Sequence, residues 1–247
     1  MMKQLIPASV RRSARIALRS LTDVKTGEVA RFANSSLTKT AEAEQFLPQI
    51  KISQEIKASH YSDNKRHNLA LAAERINRIL IEPGKVFSFW HLVGQPTRRR
   101  GYLPGRTLVN QTLQAEYGGG LCQLSGLLYY LALRAGLHIL ERYPHSVDIY
   151  TDETRFTPLG SDATVVYGYK DLRFLNLLEQ AICFHITVQP DSIRGQLCAR
   201  EPISDYQIEF RSAHIQSAHS RHRVEVETLR QTGFIQESLG KSIYQLP

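Results

Sequence analysis

Glu116-Tyr117-Gly118-Gly119-Gly120-Leu121-Cys122-Gln123-Leu124-Ser125, continued by Gly126-Leu127-Leu128-Tyr129-Tyr130-Leu131-Ala132-Leu133-Arg134-Ala135-Gly136, is the stretch on which the fold turns. Three consecutive glycines reach backbone angles closed to other residues, so the chain can reverse tightly there. From Leu121 to Ala135 only Gly126 interrupts the helix formers, and Leu121, Leu124, Leu128, Leu131 and Ala135 recur at helical spacing. Leu127, Tyr130 and Leu133 widen that stripe until the helix is apolar nearly all round, the pattern of a buried helix. Gly136 stands where such a helix stops. The turn therefore delivers Cys122 into the first helical turn, where free N–H groups and the macrodipole favour negative charge. A thiol so placed has a lowered pKa and more thiolate at neutral pH. Free cysteine is also a common small buried hydrophobe, and both readings of Cys122 stand on the residues alone.

The chain has 247 residues, 42% hydrophobic and 22% charged, enough for a sizeable core and one medium domain with extensions. No run of about 18 apolar residues is present, and the N-terminus lacks the apolar segment of a signal peptide. The expected location is therefore the cytoplasm. The net charge is +8, and residues 1–22 hold Lys3, Arg11, Arg12, Arg15 and Arg19 without an acid. That asymmetry suits an anionic surface, including peripheral association with a membrane, or serves solubility. No nucleic-acid motif accompanies it. Three cysteines are too few for a disulfide framework. If 181–188 and 193–199 form a hairpin with Val188 opposite Ile193, Cys183 falls opposite Cys198, and two reduced thiols are expected there.

In chain order, 9–21 is a basic amphipathic helix, with Val10, Ala14, Ala17, Leu18 and Leu21 on one side. Residues 22–58 read as an arm. A helix is expected over 64–80, a buried strand over 85–93, a basic loop over 95–105 and a short strand over 106–110. After the central helix come strands at 147–150, 162–167 and 172–174, then the hairpin. The tail alternates with period two at 206–212 and 223–228. With no βαβ rhythm, this is an α+β fold: a buried central helix on a largely antiparallel sheet. The expected divisions are an N-terminal helix and arm over 1–58, the main domain over 59–200 and a C-terminal β extension over 201–247.

Several short motifs stand in one order: Pro83-Gly84-Lys85-Val86-Phe87-Ser88-Phe89, Val93-Gly94, Arg100-Gly101-Tyr102, Gly118-Gly119-Gly120-Leu121-Cys122-Gln123-Leu124-Ser125, Glu141-Arg142-Tyr143-Pro144-His145-Ser146, Asp162-Ala163-Thr164-Val165 and Asp171-Leu172-Arg173-Phe174. In these the sequence resembles the VanW family, from about residue 64 to 199. Trp90 departs from the family's usual Asn, and Gly126-Leu127 from its usual small hydroxylated pair. Some cell-wall members are associated with L,D-transpeptidase activity through a cysteine acyl-enzyme, so the resemblance implies Cys122 as nucleophile acting on peptidoglycan-type peptides.

Thiol acyl transfer needs a base, an orienter for it and oxyanion donors. Of nine histidines, His145 is the best base, following Pro144 within a shared motif. Asp162 is the orienter or a turn residue. The amides of Gly119, Gly120 and Cys122 are the oxyanion donors. Arg173 pairs with a substrate carboxylate or with Asp171 or Glu141. Gln123, Ser125 and Trp90 complete the substrate-contacting set, or Gln123 and Ser125 serve the helix start. Gly118–Gly120 lacks the Lys-Ser/Thr of a P-loop, and no third ligand joins Cys122 and His145 at a zinc spacing. No cofactor and no metal is expected. The alternative function is a binding module that holds peptidoglycan stem peptides without turnover.

Overall fold

The computed structural model of the protein describes residues 8–37, 44–109, 112–147, 157–215 and 223–246. Helix α1 (Ala8–Lys25) is followed by β1 (Ser35–Ser36), β2 (Leu47–Glu55), α2 (Ser62–Ile76), β3 (Ile79–Leu80), β4 (Val86–Ser88) and the short α3 (Phe89–Val93). The hairpin β5 (Pro104–Val109) and β6 (Thr112–Tyr117) leads to α4 (Leu121–Arg134). Then come β7 (His138–Glu141), β8 (Arg173–Leu175), β9 (Ile182–Val188), β10 (Ser192–Ala199), β11 (Gln207–Ile215), β12 (Arg223–Thr232) and β13 (Ile235–Gln245). The three-stranded sheets are β2-β10-β9, β4-β8-β7 and β11-β12-β13, with antiparallel ladders throughout. This is an α+β fold.

Helix α4 is the centre of the core. Leu124, Leu127, Leu128 and Leu131 are fully buried, each such side chain contributing about 1.5–3 kcal/mol. The helix lies against β10 at Gly195, where an added Cβ would come within 2.9 Å of both Leu127 and Leu131. It stops where expected. Leu137 N–H bonds the Ala132 carbonyl at 2.9 Å, and Gly136 turns left-handed at φ 72. Leu69, Ala72, Ala73 and Ile76 of α2 join the same core. The hairpin register is the one the sequence implies, with Val188 opposite Ile193 and Cys183 opposite Cys198. Both thiols are free.

The structure departs from the sequence expectations in four places, each decided by long-range partners. The helix expected over 64–80 ends at Ile76, and Ile79–Leu80 becomes β3, paired with β1. The strand expected over 85–93 ends at Ser88 and becomes α3. Ser88 Oγ caps the His91 N–H at 3.2 Å, and Asp171 Oδ1 accepts the Trp90 N–H at 3.0 Å. The arm expected over 22–58 contains β2, which pairs along β10 and buries Ile50. Its own alternation is too weak to declare a strand, and the β10 edge supplies the pairing. The segment expected as a strand over 162–167 has no ladder; it holds only the bridge Val166–Lys170. Of the strand expected over 147–150, only Val147 lies within the described residues.

The C-terminal sheet is fastened to the rest at several points. Tyr206 N–H bonds the Arg134 carbonyl at 2.8 Å, and Arg134 pairs with Asp205. Phe210 meets Tyr130 edge-on at 5.6 Å. At its far edge, Gln245 N–H donates to the Ser146 carbonyl at 3.1 Å, and Val147 bridges Gln245 in parallel. That last contact places β13 beside His145.

Candidate active site

The Gly turn takes its shape from two left-handed residues, Gly118 (φ 83) and Gly120 (φ 100), conformations that favour glycine. Gly119 is required for a different reason. A Cβ there would lie 2.2 Å from the Gly105 carbonyl carbon, so the turn packs backbone to backbone on β5. Asn68 holds it from the other side, its Nδ2 donating to the Gly119 carbonyl at 3.0 Å. Gly119→Ala must push two backbones apart, and the expected outcome is a fall in melting temperature of several degrees or more, measured by circular dichroism. A melting temperature equal to wild type would show that the turn yields.

Cys122 follows in the first turn of α4, half-buried. The Gly119 N–H is engaged with the Glu116 carbonyl at 3.2 Å. The amides of Gly120 and Cys122 donate to no backbone carbonyl among the described residues. Of the three amides expected as oxyanion donors, Gly119 is the one engaged with a backbone carbonyl. Lys65 of α2 lies over Gly120, its Cγ 2.6 Å from where a Cβ would stand. Burial and the charge of Arg106 bring that lysine down to about 8.

The fold brings His145 and Asp162 to Cys122. Asp162 Oδ2 accepts the His145 backbone N–H at 2.7 Å and stands 2.6 Å from His145 Nδ1. With Nδ1 so held, Nε2 is the nitrogen left to face the thiol, and the imidazole and the thiol shift each other's titration. The Val165 carbonyl lies 3.8 Å from Sγ. The electrostatics follow this line. Burial by itself pushes the Cys122 thiol up, but the hydrogen bond and charge of His145 outweigh it, and the thiol sits below its ordinary value. Burial pulls His145 down, yet Asp162 and the Cys122 thiolate raise it to about 10. Burial opposes the Asp162 charge too, and His145 and Arg142 bring that carboxyl down to about 2. Near neutral pH His145 is imidazolium and Asp162 carboxylate, an arrangement that shifts Cys122 toward the thiolate.

Two further residues belong to this line and carry no role in the sequence reading. Arg142 Nη2 lies 3.1 Å from Asp162 Oδ1 and also donates to the Gly160 carbonyl at 2.8 Å. Its Nε donates to the Asp162 carbonyl at 2.8 Å, and its Nη1 to Ser242 Oγ at 2.5 Å. Tyr244 OH accepts from Arg142 Nη2 at 2.8 Å and donates to Asp162 Oδ1 at 2.6 Å. The Glu141–Ser146 motif is a signal for Arg142. Tyr244, on β13 and 82 residues from Asp162, has none.

The other expected contact residues lie elsewhere. Arg173 is enclosed by carboxylates: Nη2 to Asp23 at 2.6 Å, Nη1 to Glu28 at 3.0 Å and Nε to Asp171 at 2.9 Å, with Glu141 Oε2 3.6 Å away. The ion-pair alternative describes it. Ser125 Oγ donates to the Ala163 carbonyl at 2.6 Å, tying α4 to the Asp162 segment. Gln123 Nε2 donates to the Glu55 carbonyl at 2.8 Å, while its buried Oε1 has no partner. Trp90 Nε1 donates to the Lys170 carbonyl at 2.8 Å, and the ring lines a cavity of about 350 Å³ beneath α1. That cavity is lined by neither Cys122 nor His145. Among the described residues no group of three or more His, Cys, Asp or Glu side chains is arranged to hold a metal ion.

A family model described as "VanW like protein" matches residues 64–198, a span that contains Cys122, Arg142, His145 and Asp162 but not Tyr244. Over 149 residues the chain is 36% identical to the vancomycin B-type resistance protein VanW of Enterococcus faecalis, covering 60% of this chain and 54% of that protein. Over 119 residues it is 39% identical to the uncharacterized protein YoaR of Bacillus subtilis, covering 48% of this chain and 38% of that one. The chain thus spans about half the length of the first relative and less of the second. No solved structure matches it.

Proposed function

We infer, because this chain belongs to the VanW-like protein family, that it is a cysteine-dependent acyl transferase acting on peptidoglycan-type peptides. One observation carries the reading: at the first turn of α4, Cys122 titrates against His145, whose Nδ1 is held by Asp162 at 2.6 Å. A structural cysteine has no need of an imidazolium beside it.

The chemistry divides between these groups. The Cys122 thiolate attacks a peptide carbonyl, a C–S bond forms, and the carbonyl oxygen takes negative charge against the Gly120 and Cys122 amides. The C–N bond then breaks, His145 gives its proton to the leaving amine, and a thioester remains on Cys122. An acceptor amine attacks that thioester and loses a proton to His145, a new C–N bond forms, and the thiolate leaves. Asp162 keeps the imidazole oriented and stabilises its charged form throughout. Lys65, above Gly120, favours a substrate that carries a carboxylate near the scissile bond. Peptidoglycan stem peptides have that character.

The test is the mass of the intact protein after exposure to tetrapeptide and pentapeptide stems. The expected result is a mass increase equal to the acyl part of the stem less one hydrogen, located at Cys122 and absent in Cys122→Ser. Stems that bind with no adduct and no cross-linked product would overturn catalysis and leave the binding-module reading.

A further inference from the structure

Helix α1 is mounted with its polar side toward the protein. Val10, Ala14, Ala17, Leu21 and Val24 stand at successive steps of three and four residues, the spacing of one helix face, and Leu18 adjoins them. An amphipathic helix docked on a domain ordinarily turns that face inward. Here it faces outward: Leu18 and Leu21 are each 63% exposed, Val24 65% and Val10 54%. The opposite side makes the contacts. Arg19 Nη1 donates to Glu141 at 3.0 Å, Asp23 closes on Arg173, and Ile16 packs on Gly168, where a Cβ would lie 2.3 Å from Ile16 Cγ1. Buried ion pairs fix this orientation. Rolling the helix to bury its leucines would take Asp23 from Arg173 and Arg19 from Glu141, breaking ion pairs in a half-dry site.

Something therefore covers the stripe, and the charge around it indicates what. Residues 1–22 contain five basic residues and no acid, and the whole chain carries +8. Lys25, beside the leucines, is exposed, as is Arg15, which stacks on Tyr169 at 4.3 Å. A second copy of the chain would bring the same positive charge against itself. An anionic lipid surface supplies an apolar layer for the leucines and negative headgroups for the arginines and lysine. An exposed apolar face, a cationic flank and low overall hydrophobicity are the features of a helix that lies in a membrane interface. We propose that the outward face of α1 seats this protein on an anionic bilayer. The helix lies in the plane of the interface and does not span it; among the described residues none is long and apolar enough to cross. The surface is independent of the chemistry at Cys122.

The experiment is co-sedimentation of the full chain with vesicles of phosphatidylcholine alone and of phosphatidylcholine with phosphatidylglycerol. The expected result is binding to the anionic vesicles at least tenfold stronger than to neutral ones, weakening as salt rises. Leu18→Gln with Leu21→Gln keeps helix formers at exposed positions, so its melting curve stays that of wild type while anionic-vesicle binding falls at least tenfold. Cys122→Ser binds like wild type. Wild-type binding that the double variant retains, or none at all, would overturn the proposal. So would a dimer in sedimentation velocity that the double variant dissociates, which would assign the stripe to a second copy.

Discussion

His145→Ala slows alkylation of Cys122 by iodoacetamide at pH 7 by about tenfold or more. In the wild type the imidazolium, at about 10, stays charged throughout the neutral range and holds the thiol below its ordinary value. Without the ring that support is gone and burial alone acts, which favours the neutral thiol. The midpoint of the alkylation rate then moves up to about 8.5 or beyond, and at pH 7 only a few per cent of the thiol is ionised. The direction of the pH profile follows. Wild-type reactivity reaches its plateau at a lower pH than an ordinary cysteine and changes again as the pH nears the titration of His145. The variant's reactivity keeps rising through the alkaline range. The measurement is the rate of mass gain at Cys122 against pH in folded protein, with Cys183 and Cys198 as buried internal controls. A wild-type midpoint at that of an ordinary cysteine, or a variant profile superimposing on it, would make Cys122 a structural thiol.

Tyr244→Phe separates the part played by the C-terminal sheet. The substitution keeps the buried ring and removes only the hydroxyl that donates to Asp162 at 2.6 Å and accepts from Arg142 at 2.8 Å. Loss of a buried hydrogen bond to a charged group costs about 1.5–3 kcal/mol, read as a lower denaturant midpoint at unchanged m-value. The pH dependence distinguishes this from general loosening. Asp162 titrates at about 2 in the fold against an ordinary 3.8, so its contribution is present above that ordinary value and is lost as pH falls through about 2. With one donor fewer, its folded value moves back toward 3.8. The variant therefore loses less stability than wild type between about pH 4 and pH 2, because it had less to lose. Asp162 also holds His145 in its charged form, so the Cys122 alkylation midpoint rises, by less than in His145→Ala. An unchanged midpoint together with wild-type stability would show that Asp162 is positioned without the Tyr244 hydroxyl.

Tyr244 marks where the sequence stops being informative. The triple glycine, the apolar run behind it and Gly136 define α4 from local rules: backbone freedom at Gly118 and Gly120, period-3.6 burial, and a left-handed stop. The hairpin register at Cys183 and Cys198 is local too, because a short turn fixes which residues face each other. Cys122 and His145 were readable as candidates because each is a reactive side chain in a short ordered motif. Features that depend on distant partners were not readable. Strand β2 exists because β10 offers an edge. Ser88 starts α3 with help from Asp171, 83 residues away. Arg173 is occupied because α1 and the turn after it bring Asp23 and Glu28 to it.

By itself, then, the sequence determined the central helix, the α+β class, the hairpin and the residue types at the site. These follow from contacts a few residues apart, or from a motif whose chemistry lies within it. Only the tertiary structure decided that Asp162 faces His145, that a tyrosine from the last strand holds that aspartate, and that α1 turns its leucines outward. The reason is the same in each case. A side chain's partner across the fold is chosen by where whole elements pack, and period and spacing along one segment hold no information about the face of another.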